Sequence, residues 1–343
     1  MRGTSPGGPT NLVVIRTAHT SPYENLGLEQ YLTGQAAPGQ CILYLWQNCP
    51  TVVIGRNQNV WAECRPEAME EDGVLLARRL SGGGAVYHDL GNLNFTFLAS
   101  RTDYDVTRQT EVILRAVRAL GVPAEKNGRN DLTAEGKKYS GHAYYRSGDA
   151  CCHHGTLMAD VALDRLGLYL KPAPDKLKAK GVQSVRARVV NLARYCPGLT
   201  IPQLRQSLAG AFGQVYGLPV QPLPDGFVDG AAVAALTRKF SAPGWRYGGS
   251  APAGQTVYRA RFGWGGVTLR CTLAEGRLRQ VSLASDGLEA DYLAGVPARL
   301  EGCAAAPAAV EAALTRDAGP GLRAIAADLT GLLFAPAQKE GSA

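Results

Sequence analysis

No C-x-x-C pair joins the eight cysteines, which stand scattered at Cys41, Cys49, Cys64, Cys151, Cys152, Cys196, Cys271 and Cys303. That spacing excludes a zinc ribbon and a thioredoxin-type redox motif. A chain of 343 residues without an apolar leader is expected to keep free thiols in a reducing compartment, the cytoplasm. The opening residues, MRGTSPGGPT, lack the apolar core of a signal peptide and read as a disordered tail over residues 1–10. No run approaches the roughly 18 apolar residues of a membrane span, so no membrane partner is expected. A dense Lys/Arg tract with interleaved aromatics is also missing, which argues against nucleic-acid binding. The balance of 36 Lys+Arg against 29 Asp+Glu, a net +7, favours instead an acidic partner or a phosphate-bearing ligand. Neither G-x-x-x-x-G-K-[ST] nor a helix-opening G-x-G-x-x-G occurs, so the familiar phosphate loops are excluded.

What is present is concentrated in Arg78-Arg79-Leu80-Ser81-Gly82-Gly83-Gly84-Ala85-Val86-Tyr87-His88-Asp89. Three consecutive glycines cost backbone entropy on folding and are kept where a chain turns tightly or lets a ligand approach. With two arginines before them, their N–H groups are placed to meet an anion. The plainer alternative is a glycine-rich turn between two strands.

The hydrophobic pattern predicts strands over 11–17, 41–46, 51–55, 74–78, 92–100, 136–145 and 150–160. It predicts helices over 23–32, 66–72, 106–120, 161–170 and 201–216. A charged stretch over 171–192 reads as a mobile basic loop, and the Pro/Gly-rich segment 218–256 suits a linker. Beyond it, three strands (257–262, 267–273, 278–285) and three Ala-rich helices (291–300, 307–315, 320–333) form a small α+β unit.

Four of the five histidines (His88, His142, His153, His154) fall between residues 88 and 154, together with Asn130-Asp131 and Lys137-Lys138. Polar groups at strand ends in one region suggest one site, although each histidine can equally be a satisfied core or surface group. Strand alternation sends Cys151 and His153 to one face and Cys152 and His154 to the other, so one metal ion would not collect all four. A cysteine nucleophile paired with a histidine stays open. Alternation also separates Lys137 from Lys138. One lysine is expected to face the site, where it would neutralise a phosphate or carbonyl oxygen.

Six motifs then give the chain a family likeness. They are TVVIGRNQN (51–59), ARRLSGGGAVYHDLGN (77–92), GRNDL (128–132), KYSG (138–141), HHGTL (153–157) and KGVQSVRARVVNL (180–192). In that order they resemble bacterial lipoate–protein ligase A, within the biotin/lipoate protein ligase family. The likeness extends to WRYG (245–248) and FGWGG (262–266), nearly the whole chain. The resemblance implies an α+β fold: a biotin/lipoate-ligase-type catalytic domain around a mixed sheet (11–245) and a small α+β C-terminal domain (246–343). It implies that ATP and Mg2+ activate lipoate as lipoyl-AMP. The acyl group then passes to a lysine of a lipoyl domain, in acyltransferase subunits of 2-oxoacid dehydrogenases or glycine cleavage H protein. A monomer fits the family.

By the same resemblance Lys138 contacts both phosphate and acyl carbonyl. Arg79 and the backbone of Gly84, Ala85, Val86 and Tyr87 hold nucleotide and intermediate. Ser81, Gly82, Gly83 and His88 complete the loop, and Asn130 and Asp131 position the adenylate or its magnesium. The loop around Lys178 and Lys180 closes over the adenylate, and Val53, Ile54 and Val86 supply an apolar slot. Two departures stand out: the short Thr133–Lys137 segment and His142, where smaller residues are commoner. The competing reading is an ATP-independent lipoyl or octanoyl transferase of the same fold, with Cys151 or Cys152 as its thiol. A biotin ligase is disfavoured by the missing Gly-Arg-Gly-Arg signature.

Overall fold

The computed structural model describes residues 8–128, 130–171, 188–248 and 255–334. Strand β1 (Asn11–Arg16) leads through helix α1 (Pro22–Gly34) to the parallel strand β2 (Gln40–Trp46). α1 is started by Ser21, whose hydroxyl accepts the Glu24 N–H, and by Pro22 in its first turn. β3 (Thr51–Ile54) leaves the main sheet. After α2 (Val60–Glu63) and α3 (Pro66–Glu71), β4 (Leu75–Arg78) pairs with β3 in parallel and β5 (Val86–His88) in antiparallel fashion. The glycine run is therefore the link between the two strands that flank β3.

β6 (Asn92–Ser100) is buried at every position, as the middle of a sheet covered on both faces must be. Helix α4 (Val106–Arg118) follows, capped by the Asp105 carboxylate. An antiparallel meander comes next: β7 (Ala124–Asn127), β8 (Asp131–Ala134), β9 (Lys137–Ser147) and β10 (Ala150–Met158). After the short α5 (Leu166–Tyr169), α6 (Ile201–Tyr216) begins in a reciprocal Thr200/Gln203 capping box. β11 (Val220–Pro222) then adds to β1 in parallel, completing an eight-stranded mixed sheet of order β11-β1-β2-β6-β10-β9-β8-β7. One face packs on α4 and α6 around Phe95, Phe97, Val112 and Phe212. The other packs on α1 around Leu26, Tyr44, Leu98 and Phe240.

Two readings of the sequence are corrected, and one hairpin is added. The segment read as a linker carries β11, α7 (Gly230–Ser241) and α8 (Pro243–Tyr247). α7 packs on α1, with Thr237 against Gly27, and the Trp245 indole donates to the Arg78 carbonyl at 2.8 Å. Proline and glycine here start and stop helices rather than mark a free tether. The helix expected over 161–170 shrinks to its last turn. The β7–β8 hairpin, which carries Asn130 and Asp131 at its turn end, was not anticipated because AEKN has no apolar alternation. The short Thr133–Lys137 segment closes β8 on β9 with a two-residue turn. Both of its residues, Glu135 (φ 50°) and Gly136 (φ 74°), are left-handed, as a tight hairpin requires.

The C-terminal portion is an antiparallel sheet, β12 (Thr256–Phe262), β13 (Gly265–Ala274) and β14 (Arg277–Ser285). It is backed by α9 (Ala290–Leu300), α10 (Pro307–Thr315) and α11 (Pro320–Phe334). Its core is its own, built on Leu269, Leu293, Val296, Leu314 and Leu329. Among the described residues no helix is long and apolar enough to cross a membrane.

Candidate active site

The glycine run, the Lys138 strand and the C-terminal sheet meet around a cavity of about 440 Å3. Gly83, Gly84, Ala85, Val86 and His88 form one wall. Asn130, Asp131, Lys138, Gly141 and His142 form the mouth, with His154, Gly155 and Thr156 of β10 behind them. The turn Arg261–Gly265, with Asp286 and Leu288, closes it from the C-terminal side. Leu26, Trp46, Val53 and Asn94, each almost fully buried, line its inner part.

Consecutive arginines diverge at the end of β4. Arg78 donates to the carbonyls of Arg56 (2.8 Å), Gln58 (2.7 Å) and Arg246 (3.0 Å), tying α8 to the β3 loop. Arg79 turns inward. Its guanidinium donates to Ser81 Oγ and to the carbonyls of Val53, Gly82 and Gly84, at 2.7–3.2 Å. Burial lowers its pKa to about 10, against the opposing pull of Glu29, so it stays charged at neutral pH. Its guanidinium engages the loop carbonyls of Gly82 and Gly84 and also borders the cavity.

A buried chain of hydrogen bonds braces the same loop. Ser81 Oγ lies 2.6 Å from His154 Nε2, and His154 Nδ1 lies 2.8 Å from Glu29 Oε1. Thr96 donates to that carboxylate at 2.7 Å and accepts from the Trp46 indole at 3.0 Å. A proton on His154 Nδ1 would be donated to the Glu29 carboxylate, leaving Nε2 to accept from the Ser81 hydroxyl. Ser81 is fully buried, so this serine–histidine–carboxylate arrangement is a brace and not a nucleophile.

At the mouth Lys138 Nζ pairs with Asp131 Oδ1 at 2.7 Å, both side chains being more than a third exposed. Gly141 clears the space for that ammonium, since a Cβ there would lie 2.8 Å from it. His142 Nδ1 lies 2.9 Å from His153 Nε2, and His153 Nδ1 lies 2.9 Å from Gln109 Oε1. Burial, reinforced by the Lys138 charge, pushes His142 down to about 3, and burial beside His142 pushes His153 well below its ordinary value, so both are neutral.

Of the expected site residues, the cavity brings together Arg79, Gly83, Gly84, Ala85, Val86, His88, Asn130, Asp131 and Lys138. Ser81 and Gly82 lie behind its wall, and Tyr87 turns its ring away to pack on Tyr169. Ile54 is corrected as part of the apolar slot. It alternates with Val53 along β3 and packs into the cluster around Val52 and Tyr87. Lys178 and Lys180 lie outside the described residues. Cys151 and Cys152 are buried and absent from the lining, and burial raises both thiols. Alternation holds as expected: Cys152, His154 and Glu29 gather on one face, while His153 joins His142 on the other. Glu29, Trp46 and Asn94 escaped the sequence reading as site residues, and the FGWGG segment showed there as a likeness but not as a wall of the cavity. Only Glu29 left a signal, an acid on the apolar side of an otherwise regular helix.

Residues 21–213 match the family model for the lipoyl protein ligase A/B catalytic domain. The chain is similar to the crystal structure of Plasmodium falciparum LipL1 in complex with lipoate, at 25% identity and a TM-score of 0.80, covering 94% of this chain and 99% of that one. It is similar to the bi-partite lipoate protein ligase of Thermoplasma acidophilum, described with its E2 lipoyl domain, at 26% identity and a TM-score of 0.59, over 70% of this chain and 97% of that one. It is also similar to a lipoate–protein ligase A bound with ATP, at 26% identity and a TM-score of 0.58, over 70% of this chain and 99% of that one. The chain belongs to the lipoyl protein ligase A/B catalytic-domain family and is an enzyme of lipoate–protein ligase type.

Proposed function

We propose that this protein is an ATP-dependent lipoate–protein ligase. The reading rests on one observation: a half-exposed lysine ammonium, Lys138, borders the same cavity as the buried apolar side chains of Leu26, Trp46 and Val53. An acid with an apolar tail fits that polarity, carboxylate outward. In the first half-reaction a carboxylate oxygen attacks the α-phosphorus of ATP and pyrophosphate leaves. Two anions must approach, and Lys138 offsets their repulsion in a partly water-excluded site. Gly84 and Ala85 of the glycine run line the same space, with Arg79 fixing the loop that carries them. In the second half-reaction an acceptor lysine amine attacks the acyl carbon, AMP leaves, and the amine loses a proton.

Magnesium fits the donors at the mouth. The Asp131 carboxylate and the buried Asn130 Oδ1, which has no hydrogen-bond partner among the described residues, are hard oxygens of the kind that hold this ion jointly with a nucleotide. Bound there, it would neutralise phosphate charge. The acceptors are taken to be lipoyl domains, whose acidic surfaces suit the net +7 of this chain. The eight free cysteines agree with a cytoplasmic enzyme. The ATP-independent transferase is the weaker reading, because its candidate thiols are buried away from the cavity.

The test is ATP–pyrophosphate exchange with purified protein and magnesium, with and without lipoate. Lipoate-dependent exchange is the expected result, and Lys138→Ala should reduce it by at least ~100-fold, as loss of a central electrostatic donor does. Folded protein that transfers from synthetic lipoyl-adenylate but gives no exchange would overturn the ATP-dependent assignment.

A further inference from the structure

The buried part of the cavity holds two N–H donors that find no acceptor among the described residues. Asn94 on β6 is 2% exposed. Its Oδ1 accepts from Asn92 Nδ2 at 3.0 Å, and its own Nδ2 is buried without a partner among the described residues. His88 at the end of β5 is 3% exposed. Asn48 Oδ1 accepts from Asn25 at 2.9 Å, which fixes the amide so that Asn48 Nδ2 donates to His88 Nδ1 at 3.2 Å. Burial, helped by the Arg79 charge, pushes the His88 imidazole down to about 3, so it is neutral and carries its one proton on Nε2. That Nε2 is likewise buried and unpartnered among the described residues.

The two donors flank one indole. Asn94 is the cross-strand partner of Trp46, and the His88 ring stands edge-on to it at 6.5 Å. Trp46 itself is satisfied by Thr96, and its neighbours Leu26, Val53 and Val86 offer only hydrocarbon. The end of the slot is thus an aromatic floor with two donors that meet no acceptor among the described residues. Leaving a buried donor unmade is costly, and a ligand that supplies the acceptor recovers that cost.

We propose that the inner end of the slot is a donor subsite, in which Asn94 and His88 select acids whose tail carries an electron-pair acceptor, a ring sulfur or an oxygen, over plain alkyl acids of equal length. This rests on the ligase reading and deepens it. The dithiolane of lipoate offers two sulfurs, weak acceptors suited to two fixed donors beside an aromatic ring.

The experiment uses the full-length wild-type protein in ATP–pyrophosphate exchange with lipoate, octanoate and 8-hydroxyoctanoate. Lipoate is expected to exceed octanoate by roughly tenfold in kcat/KM, the effect of two modest hydrogen bonds. 8-Hydroxyoctanoate is expected to be used at least as well as octanoate, which separates an acceptor from mere bulk. Asn94→Leu, with the same branching at Cγ but no donor, should pull the lipoate-to-octanoate ratio toward one, chiefly through the KM for lipoate. Equal use of lipoate and octanoate by the wild type, or octanoate outranking its hydroxylated analogue, would overturn the subsite and leave the ligase reading standing. Should none of the acids support exchange, both fall together. The wild-type comparison decides the matter even if Asn94→Leu does not fold.

Discussion

His153 and His154 are neighbours on β10, yet they belong to different parts of the molecule. His153 points into the core beneath α4 and α6, where it bonds Gln109 and His142, and burial strips it of charge. His154 points to the opposite face, between Glu29 and Ser81, and borders the cavity. The two residues share composition, strand and burial. What separates them is the carboxylate on α1 and the glycine run that lies against it. A buried histidine acquires a function from what the facing element brings to it, and the period of the strand decides which element that is.

Replacing each histidine by alanine tests this contrast most severely. His154→Ala leaves Glu29 buried without its nitrogen partner and should cost roughly 3 kcal/mol, the scale for stranding a buried charge. Adenylation per folded molecule should fall as well, because Ser81 loses its tether. His153→Ala should also destabilise, since it opens a void beside Phe95 and Phe97, but exchange per folded molecule should stay near wild type. Denaturation curves combined with exchange rates give both quantities. Equal loss of exchange in the two variants would erase the contrast.

Acid sharpens the difference next. His142 and His88 have folded values near 3 against ordinary values near 6.5. Each therefore contributes stability that is complete above about pH 6.5 and is lost as pH falls toward 3. Between pH 7.5 and 5.5 each should cost on the order of 1 kcal/mol. His142→Asn should flatten that slope in urea titrations, and an unchanged slope would mean that the His142–His153 pair is charged in the folded state. The smallest effect is expected from Cys151→Ser combined with Cys152→Ser. These thiols share the alternation of the histidines but neither reaches the cavity, so lipoyl transfer should be nearly unaffected. Loss of transfer with the fold intact would place a thiol in the reaction.

Much of the site was readable along the chain because it is carried by contiguous runs. The glycine run, Asn130-Asp131 and the KYSG segment each announce themselves by residue type, and the strands around them by apolar pattern. What could not be read comes from distant elements that meet only in three dimensions. Glu29 reaches His154 across 125 positions. The C-terminal turn Arg261–Gly265 has no local mark of a cavity wall. Arg79 was legible as a cation beside the loop, but its use in binding loop carbonyls depends on a turn that no pattern encodes. The segment 218–256 failed for a different reason: proline and glycine start and stop helices as readily as they form tethers.

Where the two sheets approach, the Gly83 N–H donates to the Gly287 carbonyl at 3.3 Å, and a Cβ built on Gly82 would fall inside the radius of that same oxygen. A Cβ on Gly55 would strike the Gly83 carbonyl in the same way. The obstacle in both cases is backbone, which cannot swing aside as a side-chain tip can. Seen from the gene, every missense change in a glycine codon adds at least one carbon atom. At these two codons the smallest available lesion is already a wedge driven into a joint that has no clearance, and tolerance to mutation there should vanish even for alanine.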